Sequence, residues 1–373
     1  MATSSATHAR VRDELVKLVH QGLPTPDFAR AVGDALARAV PAEGTCLMTT
    51  DPATTLPTAE FAEKGLPAED LLRLVEFDAQ GQDFNTWGQL AQAPRPAASL
   101  SEATAGDLDR SLRQREIRRP NGFSDELRVL LAGSTGTWGK LTVFREAGSP
   151  HFSPAEVEFV SSIAGLITDG LRRGLLLGEA QSGTDDVGLL VLDPDDNVRM
   201  SNKAADHWLD ELGTSDRTGA RLPLVVSAVA RQTRSLSGLT PTTPPPDLQP
   251  AKTRARTRTG QWLIIRGSLL NEGPDTQVAV MLEAARPAEM APLIVDAYGF
   301  TDSERRITEL VANGLSTKQI AGRLHVSSYT VQDHLKSIFA KSGSGSRGDL
   351  VARLFLDHYA DALSLGSVVD VRR

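Results

Sequence analysis

The segment that decides how this chain is organised, residues 301–350, reads TDSERRITELVANGLSTKQIAGRLHVSSYTVQDHLKSIFAKSGSGSRGDL. Capping boxes at 301–304 and 316–319, in which a Thr or Ser precedes a Glu or Gln by three residues, predict two helix starts. Ser327 and a box at 346–349 predict two more starts, and glycines at 314 and 343 predict helix ends. The pattern therefore indicates four short helices. The second and third are joined by a tight turn, which is the layout of a helix-turn-helix.

The third predicted helix has one apolar and one polar face. Its apolar positions, which we expect to face the core, are Val331, Leu335, Ile338 and Phe339. The opposite face then carries Ser328, Gln332, Asp333 and Lys336. In a major groove, Gln pairs with adenine, Asp accepts a hydrogen bond from cytosine, and Lys reaches guanine or phosphate. We therefore expect this helix to read the base sequence of double-stranded DNA.

The ends of the predicted helices offer groups that contact phosphate. Hydroxyl and ammonium groups at these ends belong to Lys318, Ser327, Thr330 and Lys341. The whole chain has a net charge of −7, but residues 315–353 hold six Lys and Arg against two Asp, a local charge of +4. The local field favours DNA as the partner, because it is this field that the phosphates meet. A small helical bundle with a polar face is the alternative interpretation.

Four stretches of this segment resemble the LuxR-type helix-turn-helix. They are residues 300–304 (FTDSE), 311–321 (VANGLSTKQIA), 324–327 (LHVS) and 330–338 (TVQDHLKSI). The resemblance implies a four-helix DNA-binding module of a bacterial regulator, a homodimer on a two-fold related site, and RNA polymerase as a further partner.

Three features depart from the LuxR-type pattern. Gln319 stands where Glu is usual, and residues 332–333 stand where Lys-Asn is common. Ser342, Ser344 and Gly345 replace a mostly apolar or basic stretch. We expect the acidic residue on the recognition face to weaken non-specific binding and sharpen the choice of sequence.

Residues 1–178 have the pattern of a mixed α/β domain. Apolar spacing predicts helices near 11–19 and 28–40, a strand at 44–50, and a hairpin of strands at 126–131 and 138–144. Ser153, Pro154 and Glu156 predict the start of a long helix, which serves either as a subunit contact or as a helix packed on its own sheet. Residues 138–141 (WGKL) and 152–156 (FSPAE) resemble a GAF-type sensory fold.

Residues 179–287 are predicted to form a second mixed domain, with strands at 188–192, 198–200, 261–270 and 277–282 and a helix capped by Asn202. The stretches GLLVL (188–192), DNV (196–198) and NKAA (202–205) resemble a PAS-type sensory fold. The basic run 252–258 is expected to be a solvated edge strand, with an accessory phosphate contact as the alternative. Residues 241–250 are expected to form a proline-rich loop.

The predicted fold class is therefore α+β and multidomain. Two mixed α/β, sensor-like domains (GAF-like and PAS-like) precede a linker helix at 288–300 and an all-α, four-helix DNA-binding domain at 301–373. The predicted function is that of a one-component transcriptional regulator with a small molecule as its signal. Because such sensory folds accept many ligands or none, the resemblance names no ligand.

Two other functions are the alternatives to this one. A constitutive regulator would bind a protein partner through its N-terminal domains. An enzyme, such as a nucleotide hydrolase, is disfavoured because no clustered acid/base or metal-ligand constellation is visible in the sequence. No catalytic residue, cofactor or metal is therefore expected.

Composition sets further limits. Hydrophobic residues make up 40% and charged residues 23% of the chain, as in soluble globular proteins. No run is long enough for a membrane helix and no signal-peptide pattern is seen, so we expect a cytoplasmic location and no membrane partner. The one cysteine, Cys46, excludes intrachain disulfides and is expected to be buried, with a reactive thiol as the alternative.

Overall fold

The computed structural model describes residues 2–67, 70–71, 73–74, 77, 83–177, 186–213, 222–237, 251–270 and 276–355. Two five-stranded antiparallel sheets come first and a group of helices follows. The predicted proline-rich loop at 241–250 lies outside the described residues. Within the described part of the chain, no helix combines the length and apolar character that crossing a membrane requires.

The first sheet is built from strands with helices before, between and after them. Its elements are α1 (Ala2–Gln21), α2 (Thr25–Ala39), β1 (Gly44–Thr50), β2 (Pro57–Glu63), α3 (Trp87–Gln92), β3 (Ala97–Ser99), α4 (Leu100–Ala103), β4 (Phe123–Gly133), β5 (Gly136–Glu146) and α5 (Pro154–Leu176). A 3₁₀ turn (Leu108–Arg110) and a π-helical turn (Gln114–Arg118) precede β4. The strand order is β2-β1-β5-β4-β3. The helix predicted at Ser153 begins there with its capping box.

One face of this sheet packs against α1, α2 and α5. Leu127, Val129, Leu141 and Val143 of β4 and β5 share a buried cluster with Ile163 of α5. Because side chains alternate along a strand, the residues between them point to the other face. The apolar stripe of α5 is therefore used on its own sheet. Cys46 is buried, and burial and the nearby Glu60 raise the pKa of its thiol, which disfavours the reactive thiolate.

The second sheet repeats the strand order of the first. Its elements are β6 (Gly188–Leu192), β7 (Val198–Ser201), α6 (Lys203–Leu212), α7 (Leu224–Ser237), β8 (Lys252–Arg256), β9 (Trp262–Leu269) and β10 (Val278–Ala284). The order is β7-β6-β10-β9-β8, which matches the first sheet when each is counted from its own first strand. The four predicted strands and the Asn202 cap are confirmed. Helix α7 was not predicted.

Both faces of the second sheet are covered. Leu263 and Ile265 pack in a cluster with Trp208 of α6 and Val229 of α7. The alternate residues of β9, Trp262 and Ile264, pack instead in a cluster with α8 (Pro287–Ala297). Helix α8 is the predicted linker helix, and it serves as a layer of this sheet as well as a connection.

The prediction that the basic run 252–258 is solvated is wrong. Strand β8 does lie at the edge of its sheet, but Arg254 is only 8% exposed, and Thr253 and Ala255 are fully buried. The guanidinium of Arg254 binds Asp51, which follows β1. The middle of the run is covered because another part of the chain supplies both the opposite charge and the packing surface, whereas Arg258 at its end is exposed.

Candidate nucleic-acid interface

The C-terminal part forms four described helices with the predicted caps. They are α9 (Asp302–Ala312), α10 (Thr317–Leu324), α11 (Ser328–Ser342) and α12 (Arg347–Phe355). The capping boxes at Thr301 and Ser316 are formed, and the Ser327 hydroxyl accepts a hydrogen bond from the Thr330 amide at 3.0 Å. Gly343 ends α11 in the left-handed conformation, as its position predicted.

The turn between α10 and α11 depends on His325. This residue has φ 56° and ψ 40°, the left-handed conformation at the C-cap of α10. The amide of Val326 donates to the carbonyl of Ala321 at 3.0 Å, which closes the turn. Ala321 is buried, so its small side chain allows the two helices to approach closely.

The two faces of α11 differ as the periodicity predicted. Its buried residues are Val331, Leu335, Ile338 and Ser342. Ser328, Gln332, Asp333 and Lys336 are all exposed on the opposite side. Lys336 Nζ lies 3.4 Å from Asp333 Oδ1, so each charge partly neutralises the other on this face.

The predicted phosphate contacts differ in their surroundings. Lys318 and Ser327 are exposed and Thr330 is partly exposed; the hydroxyl oxygens of Ser327 and Thr330 lie 2.9 Å apart. Lys341 is exposed at the end of α11, but its Nζ donates to Glu304 Oε2 at 2.6 Å and to the Gly299 carbonyl at 3.2 Å. A phosphate contact by Lys341 would have to compete with this ion pair.

Glu304 has a second role that the sequence pattern did not reveal. Besides completing the capping box, its buried carboxylate accepts hydrogen bonds from Ser337 Oγ and Lys341 Nζ, both at 2.6 Å. Burial by itself raises the pKa of this carboxyl, but the hydrogen bonds from Lys341, Ser337 and the Thr301 amide outweigh it and lower the pKa to about 2. Glu304 thereby fixes the recognition helix against α9.

Two further residues of the helix-turn-helix domain (the head, residues 301–355) were missed by the sequence reasoning. Arg347 donates to the Leu315 carbonyl at 2.6 Å and to the Thr317 hydroxyl at 2.7 Å, which joins α12 to the start of α10. Tyr329, in the first turn of α11, is 70% exposed. The available signal in the sequence was an aromatic residue among the polar positions of this helix, where it is expected to be exposed to water.

The serines that depart from the LuxR-type pattern are accommodated in the core. Ser342 and Ser344 are both buried, and the Ser342 hydroxyl donates to the Ile338 carbonyl at 2.8 Å. The two hydroxyl oxygens lie 2.9 Å apart. Their polar groups are therefore satisfied without water.

Solved structures offer only weak similarities. The VqsR LBD domain from Pseudomonas aeruginosa is 11% identical and has a TM-score of 0.34; the match covers 45% of this chain and 98% of that one. The GAF domain of a phosphoenolpyruvate-protein phosphotransferase from Coxiella burnetii is 16% identical and has a TM-score of 0.31, over 44% of this chain and 93% of that one. Scores this low assign neither a fold nor a ligand to the N-terminal part.

Curated relatives match a short segment. An HTH-type transcriptional regulator of Mycobacterium bovis is 53% identical over 51 residues, which are 14% of this chain and 6% of the relative. The transcriptional regulatory protein DesR of Bacillus subtilis is 30% identical over 96 residues, 24% of this chain and 48% of that protein. The monoamine regulon transcriptional regulator of Klebsiella aerogenes is 43% identical over 56 residues, 15% of this chain and 25% of the relative. The chain thus spans less than half the length of each.

One family model matches the chain, and it matches over the segment that the helix signals singled out. Residues 299–354 match the family of bacterial regulatory proteins, luxR family. The matched segment contains α9, α10 and α11 entirely and most of α12. Residues 299–354 of this chain are therefore a helix-turn-helix domain of the luxR family.

Proposed function

We propose that this protein is a sequence-specific DNA-binding regulator of transcription that responds to a signal received by its N-terminal parts. The observation that carries the proposal is the exposed polar face of α11 in a helix-turn-helix of the luxR family. The relatives that match this segment are named as transcriptional regulators. The function requires access to DNA, and we propose the cytoplasm as its location.

The side chains of the helix-turn-helix fall into two groups according to the part of the DNA that they are proposed to contact. Gln332, Asp333, Lys336 and Ser328 are proposed to contact base edges, because they are exposed on the face opposite the core. Lys318, Ser327, Thr330 and Lys341 are proposed to contact the phosphates. We add Tyr329, an exposed residue that carries a hydroxyl at the start of α11, because helix N-termini approach the DNA backbone.

The organisation proposed for the whole chain is a GAF-like sensory domain at 1–178 and a PAS-like one at 179–287, then the linker helix at 288–300 and the DNA-binding domain at 301–373. The shared strand order of the two sheets supports assigning both parts to related sensory folds. A homodimer on a two-fold related site and contact with RNA polymerase complete the proposal, as is usual for regulators with this head.

The linker helix is well placed to carry a signal. Met290, Leu293 and Ile294 of α8 share one buried cluster with Trp138 of the first sheet and Trp262 of the second. The same cluster contains the core of the helix-turn-helix. A change in either sheet would therefore alter the packing of α8 and bias the position of the head. The alternative is a constitutive regulator whose N-terminal parts bind a protein partner.

The test is fluorescence anisotropy of the full chain on a randomised DNA pool over a salt series, followed by sequencing of the bound fraction. We expect salt-sensitive binding and enrichment of a two-fold related sequence. Gln332→Ala should relax one position of that sequence by about 1–3 kcal/mol, whereas Gln92→Ala, at an exposed position on α3, should change nothing. Binding without any enriched sequence, or none at all, would contradict the proposal.

A further inference from the structure

A cavity of about 180 Å³ lies where the two sheets and helix α8 meet. The first sheet contributes Phe61 of β2 and Trp138 of β5 to its wall, the second sheet contributes Trp262 of β9, and α8 contributes Leu293. Trp138, Trp262 and Leu293 are at most 8% exposed. The cavity is therefore a feature of the junction between the two N-terminal parts, and neither sheet forms it alone.

The wall of this junction cavity is mostly apolar. Leu171 of α5 and Pro52, which follows β1, are both buried and lie in the wall with the three aromatic residues. In another protein, an engineered apolar cavity of roughly 150 Å³ binds benzene. A cavity of about 180 Å³ therefore has room for one aromatic ring with a small substituent.

Several polar groups in the wall already have partners. The hydroxyl oxygens of Thr49 and Thr58 lie 2.7 Å apart. Asp51 and Arg254 are bound to each other, with Nη2 of the arginine 2.6 Å from Oδ1 of the aspartate. The Thr25 hydroxyl has no hydrogen-bond partner among the residues that the structure describes, and it is available to a ligand. The charges of Asp51 and Arg254, in contrast, are already used.

Arg256, at the end of β8, also lines the cavity and has unused hydrogen-bond donors. Register places it opposite Trp262, and its guanidinium carbon lies 5.6 Å from the centre of the Trp262 ring. Its Nε donates to the Gly260 carbonyl at 2.9 Å. Within the described part of the chain, its two Nη nitrogens have no hydrogen-bond partner and its charge is in no ion pair.

The surroundings of Arg256 favour an anion. Burial lowers the pKa of its guanidinium, and no neighbouring carboxylate opposes that change. An arginine keeps its charge at neutral pH nevertheless. A partly buried cation without a counter-charge is less stable than a paired one, so an anion that enters the cavity gains the interaction that the chain itself does not supply.

We propose that the junction cavity binds a small aromatic carboxylate, with its carboxylate on the Nη nitrogens of Arg256 and its ring among the aromatic side chains of the wall. A guanidinium offers two parallel N–H groups that match the two oxygens of a planar carboxylate. A dianion such as a phosphonate is disfavoured, because Arg254, the other arginine that lines the cavity, is already bound to Asp51.

A molecule in this cavity would contact the side chains that connect the sheets to the head. Trp138, Trp262 and Leu293 belong to the buried cluster that also contains Ile307 and Ile338 of the helix-turn-helix. An occupant would therefore change the packing of the cluster that holds α8. The proposal names the class of signal and in that respect rests on the proposed function; binding itself does not.

The test compares benzoate with three related molecules on the full chain. Benzoate at about 10 mM is expected to raise the melting temperature by about 2 °C. In calorimetry, benzamide should bind at least about tenfold more weakly, because it lacks the charge that Arg256 recognises. Acetate, which has the charge but no ring, should also bind at least about tenfold more weakly. Phenylphosphonate should bind more weakly than benzoate.

Two variants assign the effect to Arg256. Arg256→Leu should weaken the binding of benzoate at least about tenfold, to the level of benzamide, and leave the binding of benzamide unchanged. The matched control is Arg258→Leu, which removes the same charge from an exposed position two residues further along the chain. It should bind benzoate like the parent chain. Should Arg256→Leu fail to fold, Arg256→Gln and the comparison of ligands on the parent chain keep the test decisive.

Three results would overturn the proposal: no binding of benzoate, binding of benzamide or acetate as tight as that of benzoate, or an undiminished preference for benzoate in a folded Arg256 variant. Tighter binding of phenylphosphonate than of benzoate would also overturn it, because the site would then be one for dianions.

Anisotropy on the enriched DNA sequence, with and without benzoate, tests the role as a signal. We expect bound benzoate to change the DNA affinity of the parent chain at least about fivefold and that of Arg256→Leu not at all. An unchanged DNA affinity with benzoate bound would overturn the role as a signal. A chain that binds its DNA sequence but no carboxylate remains a regulator without this site, and one that binds benzoate but no DNA has the site without the proposed function.

Discussion

Asp51 and Arg254 form a two-pronged ion pair between the first and the second sheet. Arg254 Nε donates to Asp51 Oδ2 at 2.8 Å and Nη2 to Oδ1 at 2.6 Å, and the Arg254 amide also donates to Oδ2 at 3.0 Å. Arg254 Nη1 reaches the Glu289 carbonyl in α8 at 3.4 Å. One buried guanidinium therefore joins both sheets and the linker helix.

Removing the carboxylate of this pair should lower the stability of the folded chain. Asp51→Asn leaves the Arg254 charge buried without its partner, and we expect the free energy of unfolding to fall by about 3 kcal/mol. Asp51→Leu combined with Arg254→Met should recover much of that loss, because neither charge remains. Urea unfolding of the full chain is the measurement. Asp27→Asn breaks an exposed pair with Arg30 and serves as the control, with a change below about 1 kcal/mol. A loss no larger for Asp51→Asn than for Asp27→Asn would contradict the prediction.

Glu304 should make the stability of the head depend on acid pH. Its pKa is lowered to about 2 in the folded chain. The contribution of its charge to the free energy of unfolding is therefore complete above the ordinary pKa of about 4.5 and is lost as the pH falls towards 2. Glu304→Gln should therefore reduce the free energy of unfolding by roughly 2 kcal/mol at neutral pH. The difference in the free energy of unfolding between the parent chain and Glu304→Gln should become smaller as the pH falls from 4.5 to 2.

Chemical unfolding followed by circular dichroism across this pH range measures the effect. Glu309→Gln, at an exposed position on the same helix, is the matched control. If the difference in the free energy of unfolding between the parent chain and Glu304→Gln stays constant down to pH 2, the charge of Glu304 is not what stabilises its contact with α11.

Asp333 should limit non-specific binding. Asp333→Asn removes a negative charge from the recognition face and releases Lys336 from its ion pair. Binding to random duplex should become tighter, and the slope of log affinity against log salt should steepen by about one unit. Asp13→Asn removes the same charge from an exposed position on α1 and is the control. Equal tightening by both variants would mean that only the total charge matters.

Two glycines of α5 should respond oppositely to alanine. A Cβ at Gly170 would overlap the ring of Phe28 from α2, whereas a Cβ at Gly165 would meet nothing within 4 Å. Gly170→Ala should lower the free energy of unfolding by about 2 kcal/mol through overpacking. Gly165→Ala should raise it by about 0.5–1 kcal/mol through helix propensity. Thermal melts of both variants test the pair, and a stable Gly170→Ala chain would show that α2 and α5 are able to separate.

The local signals of the helix-turn-helix were sufficient to predict the candidate interface. Caps at Thr301, Ser316 and Ser327 and the end at Gly343 are confirmed, and the polar face of α11 is exposed where the period of 3.6 placed it. Such signals work because each involves residues within a few positions of one another. The cross-helix role of Glu304 escaped detection, since Lys341 is far from it in sequence.

Contacts between near neighbours along the chain thus specify the caps, the hairpin, the alternation of strand faces and the two faces of α11. The burial of the middle of strand β8 became evident from the fold alone, because the carboxylate of Asp51 that pairs with Arg254 lies 203 positions away. The fold also revealed that α8 is a layer of the second sheet and that Arg256 lines a cavity where the two sheets meet α8. Burial and charge pairing are properties of contacts between distant segments, and a local pattern does not encode which segments meet.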